Sequence, residues 1–470
     1  MTLASLLLEH PFRDDEALLH TADRSMTAGE ARAAARRVAG RLAETGEVAG
    51  RAVAVQLPNE PELVATMVGV WLAGGVYVPL NPRLPEGEVD EVVRSTGAVA
   101  VVTEDGIRRL AGDDSPEPRD HYEDDVAFVM WTSGTTGRPR AIHHTHTAYV
   151  ELLDRVLGPL RAGGTSAKRP TPNLIPVSMA LNAGLYNALF GLRAGAALVI
   201  MDRFEPAAFA RLVRRFEIRS TVLPPAAMAM LTDSEVTDLA PLRYVRSITA
   251  PLSPLQARRF TAKFPVYVLN GYGQAEIGEV IGWTAADAKA HPDKVGAVGR
   301  PHPGVDIRID DDGHLWVRPP NTAVGIDERL DADGYVDTGD LARVDEDGFV
   351  WIEGRAGDLI NRGGNKVHPD AVEEVLRLSP AVDDVAVVGA PDDRLGEVPV
   401  AFLVGRPVPD DELVALCREH LVAYKVPAAF RWVDALPRSE VGKVLRADLA
   451  RTLAASSSPR REPPAPTGRA

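Results

Sequence analysis

The sequence holds one cysteine, Cys417, in 470 residues. That excludes an intramolecular disulfide and any cysteine-rich metal site. It points to a reducing, cytoplasmic setting. Lysine is scarce as well, with seven against 45 arginines, so each lysine is more informative than usual. Positive charge is not in excess either: the net charge of −14 makes the chain as a whole a poor partner for nucleic acid or an anionic membrane, while leaving room for a local basic pocket. Long uninterrupted hydrophobic runs are missing. Leu6, Leu7 and Leu8 are too few for a secretory h-region and follow no basic segment. Residues 61–80 reach the roughly 20-residue length of a membrane span. Glu62, Gly74, Gly75 and Pro79 interrupt them, so they read as a buried helix running into a strand. What remains is 45% hydrophobic and 25% charged, the balance of a globular protein too long for one ordinary domain.

The first hundred residues alternate helical and strand patterns: helices at 28–42, 62–73 and 86–95, strands at 52–57, 76–80 and 98–103. Alternation at this spacing implies parallel β-α-β units. After an acidic connection, residues 126–131 form an apolar run that reads as a buried strand. More β-α units follow, with strands at 197–201 and 220–223 and helices at 206–215 and from 224. Near residues 306–319 short strands with Asp-Gly turns suggest a small β-rich subdomain. Helices at 369–378 and 410–420 and strands at 385–388 and 399–404 then make a small α+β unit. The expected organisation is an α/β domain over 1–354, a small mobile α+β domain over 355–452, and a disordered Ser/Pro/Arg-rich tail over 453–470. There are no internal repeats.

Four segments carry chemistry. The loop after the 126–131 strand packs Thr132, Ser133, Gly134, Thr135, Thr136 and Gly137 ahead of Arg138 and Arg140. Its glycines let the backbone approach an anion, its hydroxyls donate, and its arginines add charge, which suits polyphosphate. It lacks the Gly-Lys-Ser/Thr ending of a Walker loop; the bland alternative is a surface turn. The second segment is Asn270-Gly271-Tyr272-Gly273-Gln274-Ala275-Glu276. As a dinucleotide fingerprint it fails, because the third glycine would fall at Glu276, where an acid repels pyrophosphate. Glu276 suits Mg²⁺ on ATP and Tyr272 offers a flat face to a base; a tight turn with an exposed glutamate is the alternative. The third is Asp337-Thr338-Gly339-Asp340, whose acids suit ribose hydroxyls. In the fourth, residues 436–443, a rare lysine, Lys443, follows a glycine. Each of the last three is weak alone.

In order and spacing these segments resemble the adenylate-forming superfamily of acyl-CoA synthetases, adenylation domains and firefly luciferase, over about 53–449. The stretch 333–341, with Gly354-Arg355 and Gly363-Gly364, is similar to the acyl-CoA synthetase branch in particular. The resemblance implies ATP-dependent activation of a carboxylic acid to acyl-AMP with pyrophosphate release, then transfer to a thiol, CoA or alternatively a carrier protein or other nucleophile; a catalytically weakened binding descendant is a further alternative. It implies that the 132–140 loop holds the β- and γ-phosphates, that Tyr272 stacks on adenine, and that Thr136 and Glu276 hold Mg²⁺. Asp340 and Arg355 would hold the ribose, Lys443 would bridge the carboxylate and the α-phosphate, and Gly363-Gly364 would border a thiol tunnel. A hinge near 355–358 would let the small domain rotate between half-reactions.

The chain departs from that pattern where the loop ends in Arg140 instead of Lys, where Ala275 replaces a Thr, at Gly357, and near Met179, which lacks the usual aromatic or His. Candidate acid-pocket residues are Met179, Leu181, Asn182, Tyr186, Met228 and Ala250, mostly apolar, which suits an aryl or medium aliphatic acid. No Asp stands at Ser178-Met179 to pair with an α-ammonium, which argues against an α-amino acid. His143, His144 and His146 read as structural and not as a metal cluster.

Overall fold

A computed structural model of the chain describes residues 1–110, 121–133, 139–162, 170–248, 250–438 and 444–457. The helix Ala28–Thr45 begins at Thr27, whose hydroxyl accepts from the Glu30 amide while the Glu30 carboxylate accepts from the Thr27 amide at 2.7 Å. This reciprocal cap satisfies two donors that a helix start leaves unpaired. Ala28, Ala31, Ala35 and Leu42 form its buried face. Against that face lies Pro61–Leu72, started by a proline and buried nearly all round. This is the apolar run weighed above as a membrane span. It ends at Ala73, passes into the strand Val76–Pro79, and anchors through Trp71 Nε1, which donates to the Ala127 carbonyl at 2.7 Å. Among the described residues no helix is long and apolar enough to cross a membrane.

Two large sheets organise the first compact unit, which comprises Met1–Arg308, Trp316–Thr338 and Val344–Trp351. One has six strands in the order Gly106–Arg109, Ala100–Thr103, Ala52–Val55, Val76–Pro79, Val126–Ser133, Pro139–Thr145. Its inner strands are parallel and its two outer pairs antiparallel. The other has nine strands. Its centre is a parallel run through Tyr267–Gln274, Tyr244–Ser247, Ser220–Val222, Asn173–Ile175, Leu198–Ile200 and Ala17–His20, with antiparallel strands at both ends. The inner strands of both sheets are Val-, Ile- and Leu-rich, as expected where both faces are covered.

From Asp306 the texture changes, as the Asp-Gly turns foretell. The strands Asp306–Ile309, His314–Arg318, Val336–Val344 and Val350–Arg355 follow one another with only a 3-10 turn, Asp327–Arg329, between them. The second unit takes in Ile309–Leu315, Gly339–Arg343 and everything from Ile352. Its body is a long hairpin, Val382–Asp392 against Gly396–Gly405, with Ala429–Trp432 parallel to the second arm. Alternation along the hairpin builds two cores. Val385, Val387 and Leu403 pack with Leu376, Leu413 and Cys417. Ala386, Val388 and Phe402 pack with Leu436, Leu449 and Leu453. Burial pushes the Cys417 thiol up to about 11, so it is protonated and unreactive at neutral pH.

The last helix, Arg446–Ser457, runs past residue 453, where the sequence suggests that a disordered tail begins. Leu453 is 6% exposed in the second core. One apolar side chain at helical spacing from Leu449 outweighs the small and polar composition around it. The rest of the expected tail, 458–470, lies outside the described residues.

Candidate active site

The expected phosphate loop grows from a hairpin. Val126–Ser133 and Pro139–Thr145 pair antiparallel, with Thr132 opposite Arg140 and Ser133 opposite Pro139. The loop's two stems are therefore hydrogen-bonded neighbours. Gly134, Thr135, Thr136 and Gly137 lie outside the described residues, as does Lys443; at Thr132, Ser133 and Arg140 the backbone alone is described.

Asn270, Gly271, Tyr272 and Gly273 occupy the far end of Tyr267–Gln274. The strand is parallel to its neighbour up to Asn270, opposite Ser247, and then turns antiparallel to Gly278–Gly282 with a register shift between Tyr272 and Gly273. Carboxyl ends of parallel strands are where open α/β sheets bind ligands. Gly273 has a structural role of its own, since a Cβ there would collide with the Gly278 carbonyl. Asn270 is buried and its amide reaches the Ala297 carbonyl at 3.4 Å.

Glu276 is not a free carboxylate. Arg329 Nη1 donates to its Oε1 at 2.8 Å, and Arg329 Nη2 donates to Gln274 Oε1 at 2.6 Å. The same guanidinium holds the Asp337 carbonyl, with Nε at 2.9 Å. Gln274 in turn donates to the Tyr272 hydroxyl at 3.2 Å and the Thr338 carbonyl at 2.8 Å. One arginine thus orients the expected metal carboxylate and, through Gln274, the expected adenine platform. Sequence reasoning missed Arg329, because it lies 53 residues beyond Glu276 in a stretch without motif character.

Glu276 and Ala275 border a shallow, half-open cleft whose other walls include His144, Tyr149, Leu152 and Asn321. A hard cation brought by phosphate needs only one or two protein carboxylates, and Glu276 at a cleft wall fits that donor set. Among the described residues no group of three or more His, Cys, Asp or Glu gathers for a metal. The three histidines separate onto different partners. His143 packs edge-on against Tyr122, His146 against Trp71, and His144 stacks on Phe128 with centroids 4.6 Å apart. Burial, helped by His143, lowers the His144 pKa to about 3, and its Nε2 is buried with no hydrogen-bond partner among the described residues.

In the second unit Arg355 Nε meets Asp340 Oδ1 at 2.7 Å, and Asp340 is only 5% exposed. The two expected ribose residues are therefore brought together, with the carboxylate preoriented by the guanidinium. Gly363 and Gly364, at φ 59° and 87°, form the two-residue turn between Ile360–Arg362 and Asn365–Val367. Positive φ at both central positions is the hairpin geometry that favours glycine. The Gly363 amide donates to the Leu395 carbonyl at 2.7 Å.

The expected acid-pocket residues do not form one wall. Met179 and Tyr186 share an apolar cluster with Tyr149, Leu152 and Phe128. Asn182 accepts from the Tyr149 hydroxyl at 3.5 Å, which ties it to the cleft. Met228 is fully buried in a different cluster with Phe260 and Leu231, and Ala250 is exposed. An apolar side chain in a sequence does not say which of two adjacent cores it fills. Sequence reasoning also missed a buried ion pair between Arg246 and Glu279 behind the Tyr272 strand.

The AMP-binding enzyme family matches residues 9–326, and the AMP-binding enzyme C-terminal domain matches residues 371–443. A 4-coumarate–CoA ligase of Oryza sativa subsp. japonica is 30% identical, covering 92% of this chain and 90% of that one. Among solved structures, ATP-bound MatB from Rhodopseudomonas palustris superposes with a TM-score of 0.84 at 25% identity, covering 96% of this chain and 99% of MatB. The o-succinylbenzoate CoA synthetase of Bacillus subtilis, in complex with its acyl-adenylate intermediate, gives 0.83 at 27% identity, covering 96% and 98%. The domain match spans well over half of the residues, the likeness continues through the second unit, and the chain belongs to the AMP-binding enzyme family.

Proposed function

We propose that this chain is an AMP-forming acid–thiol ligase that uses ATP to activate an aryl or medium aliphatic acid and passes the acyl group to CoA. The observation that carries the reading is the cleft at the carboxyl end of the parallel strands, with Glu276 on its wall and Arg329 fixing that carboxylate. In the first step an oxygen of the substrate carboxylate attacks the α-phosphorus of ATP. A bond forms to phosphorus, the bond to pyrophosphate breaks, and pyrophosphate leaves. Two anions approach one another, so fixed cations must offset their repulsion. Lys443 would supply one at the carboxylate, and Arg138 and Arg140 would supply others at the departing phosphates. Glu276 with Thr136 would hold Mg²⁺, which supplies Lewis-acid neutralisation when bound. Tyr272 would stack on the adenine, and Asp340 would accept from the ribose hydroxyls with Arg355 orienting it. In the second step the CoA thiolate attacks the mixed anhydride and AMP leaves. We take 1–354 as the acid- and ATP-binding domain and 355–452 as the domain that brings Lys443 to the first step and the Gly363-Gly364 turn to the second.

ATP–pyrophosphate exchange across a panel of aryl and aliphatic acids tests the first step, with CoA or a phosphopantetheinylated carrier as acceptor testing the second. Exchange with at least one acid and thioester formation on CoA are expected. Absence of exchange with every acid would overturn the ligase reading, and transfer to the carrier alone would overturn the choice of CoA. Lys443→Ala is expected to lower exchange by on the order of 100-fold or more, while leaving thioester formation from supplied acyl-adenylate largely intact. Equal loss in both half-reactions would remove the proposed division of labour.

A further inference from the structure

Behind the Tyr272 strand, all within the first unit, lies a group of side chains with buried polar atoms that the adenylation chemistry does not use. Glu279, 8% exposed, accepts at Oε1 from Arg246 and approaches His302 Nε2 at 3.3 Å. Its second oxygen, Oε2, is buried with no hydrogen-bond partner among the described residues. The same holds for the Tyr186 hydroxyl, the Ser247 hydroxyl and Arg155 Nη1. Tyr186 feels the charges of Glu279, Arg246 and Arg155, and Arg155 feels Tyr186 and Glu279, so these groups are electrostatic neighbours. Each unsatisfied buried group costs about 1–3 kcal/mol. Folded proteins tolerate few of them, so several in one neighbourhood call for an explanation.

Their placement supplies one. Ser247 ends the parallel strand Tyr244–Ser247 and stands opposite Asn270, one residue before Gly271 and two before Tyr272. A Cβ at Gly271 would lie 3.1 Å from Glu279 Oε1, so the carboxylate sits directly against that backbone. On the helix His146–Ala162, Tyr149 and Leu152 line the cleft, and Arg155 follows one further turn along the same face. Tyr186 follows Asn182 by one turn, and Asn182 accepts from Tyr149. Arg155 and Tyr186 therefore follow, along their helices, residues that line the cleft or touch one that does, and Glu279 follows Gly278 of its lining.

One of its charges is already matched. Arg246 pairs with Glu279, whereas burial disfavours the charge on Arg155 and the negative charges of Glu279 and Glu151, the latter one turn earlier on the helix, offset it only in part. What is left is one donor on Arg155, one acceptor on Glu279, and two hydroxyls able to do either. A second carboxylate would gain the donors but face Glu279 Oε2. An alkyl end would leave every group unpaired. We propose that the acid activated by this chain carries, at the end remote from its carboxylate, a neutral group that both donates and accepts hydrogen bonds, a hydroxyl or carboxamide, and that Arg155, Tyr186, Ser247 and Glu279 form its subsite. This deepens the ligase reading and rests on it for the identity of the ligand as an acid.

The test is direct binding of matched acids to the full chain by calorimetry, with pyrophosphate exchange measured alongside. One trio is para-hydroxybenzoate, para-methylbenzoate and terephthalate; a second is ω-hydroxyoctanoate, nonanoate and azelate. The hydroxylated member of at least one trio is expected to bind on the order of 100-fold more tightly than its methyl partner, because a site built for a hydroxyl rejects the analogue lacking it. Tyr186→Phe, which changes one atom in the core, is expected to cut that ratio roughly tenfold while leaving the methyl partner's affinity unchanged. Equal affinity for hydroxyl and methyl partners in both trios, preference for a dicarboxylate, or equal loss for both partners in Tyr186→Phe would overturn the subsite. Discriminating binding without exchange would keep the subsite and sink the ligase reading instead.

Discussion

Each compact unit buries a glutamate beside arginines, and the two are finished differently. Glu373, on the helix Pro369–Leu376 of the second unit, is 4% exposed. Its Oε1 accepts from the Val387 amide at 2.8 Å and from Arg446 at 2.6 Å, and its Oε2 accepts from Arg377 at 3.2 Å. Arg446 is shared with Asp358 and Asp370. Both oxygens are used, and the carboxylate ties the helix to the hairpin and to Arg446 at the start of the last helix. Glu279 in the first unit has one oxygen engaged twice and the other left without a partner among the described residues. Burial alone would raise its pKa, yet the charge of Arg246 and the contact with His302 hold it well below the usual carboxylate range. It is a buried anion with a spare lone pair. Although Arg446 Nε has no partner among the described residues, the Glu373 carboxylate is fully engaged and so specifies architecture, whereas the half-engaged carboxylate of Glu279, near the carboxyl end of a parallel sheet, is poised for a ligand.

The largest effect that sharpens this contrast is at Glu373. Glu373→Ala leaves Arg446 and Arg377 short of a buried partner and the Val387 amide without its side-chain acceptor. The expected loss is about 3–5 kcal/mol, with faster amide exchange across Val382–Asp392 in the full chain. A loss below about 1 kcal/mol in urea denaturation would show that Glu373 is not the fastener its contacts make it.

Much of this was legible in the sequence, for identifiable reasons. The β-α alternation of the first hundred residues appears at nearly the expected positions, because the strands at 52–55 and 76–79 are short, apolar and bounded by breakers. The helix Pro206–Arg215 matches its expected bounds residue for residue, started by a proline and an acidic cap at Glu205. The candidate site's motif residues stand out in the sequence because glycines and acids at fixed spacing are rare. Their partners were not. Arg329 reaches Glu276, and Arg246 reaches Glu279, across 53 and 33 residues. In a chain with 45 arginines, nothing local distinguishes the guanidinium that turns inward from one that faces water. Met228 shows the converse ambiguity, since a core position, here in the cluster with Phe260 and Leu231, has the same composition as a pocket wall.

A smaller effect lies at His144, another buried group without a partner at Nε2 among the described residues, but one whose ring is stacked on Phe128. Its folded pKa of about 3 lies below the ordinary 6.5, mainly through burial. Between those values the unfolded chain binds a proton that the folded chain refuses, so stability falls as pH falls through that window. The slope is about 1.4 kcal/mol per pH unit, or about 2 kcal/mol between pH 6.5 and pH 5. His144→Leu is expected to remove that share of the acid sensitivity, read as the difference in urea midpoints at pH 7 and pH 5. An unchanged difference would mean that the ring is protonated or solvated in the fold.

The smallest expected change in stability is the most telling. Replacing both members of the first unit's pair, Arg246→Met with Glu279→Leu, removes two buried charges, one already short of a partner. Such replacements are commonly neutral or stabilising when volume is kept, so the urea midpoint is expected to correspond to within about 1 kcal/mol of wild type, or to rise. The paired change Glu373→Leu with Arg446→Met should not be neutral, because Arg377, the Val387 amide, Asp358 and Asp370 all lose partners at once. If the Arg246–Glu279 replacement instead costs more than about 3 kcal/mol, Glu279 is architecture as Glu373 is, and its open lone pair carries no message about a ligand. If stability holds while the preference for a hydroxylated acid disappears, the pair is kept in this chain for what it binds.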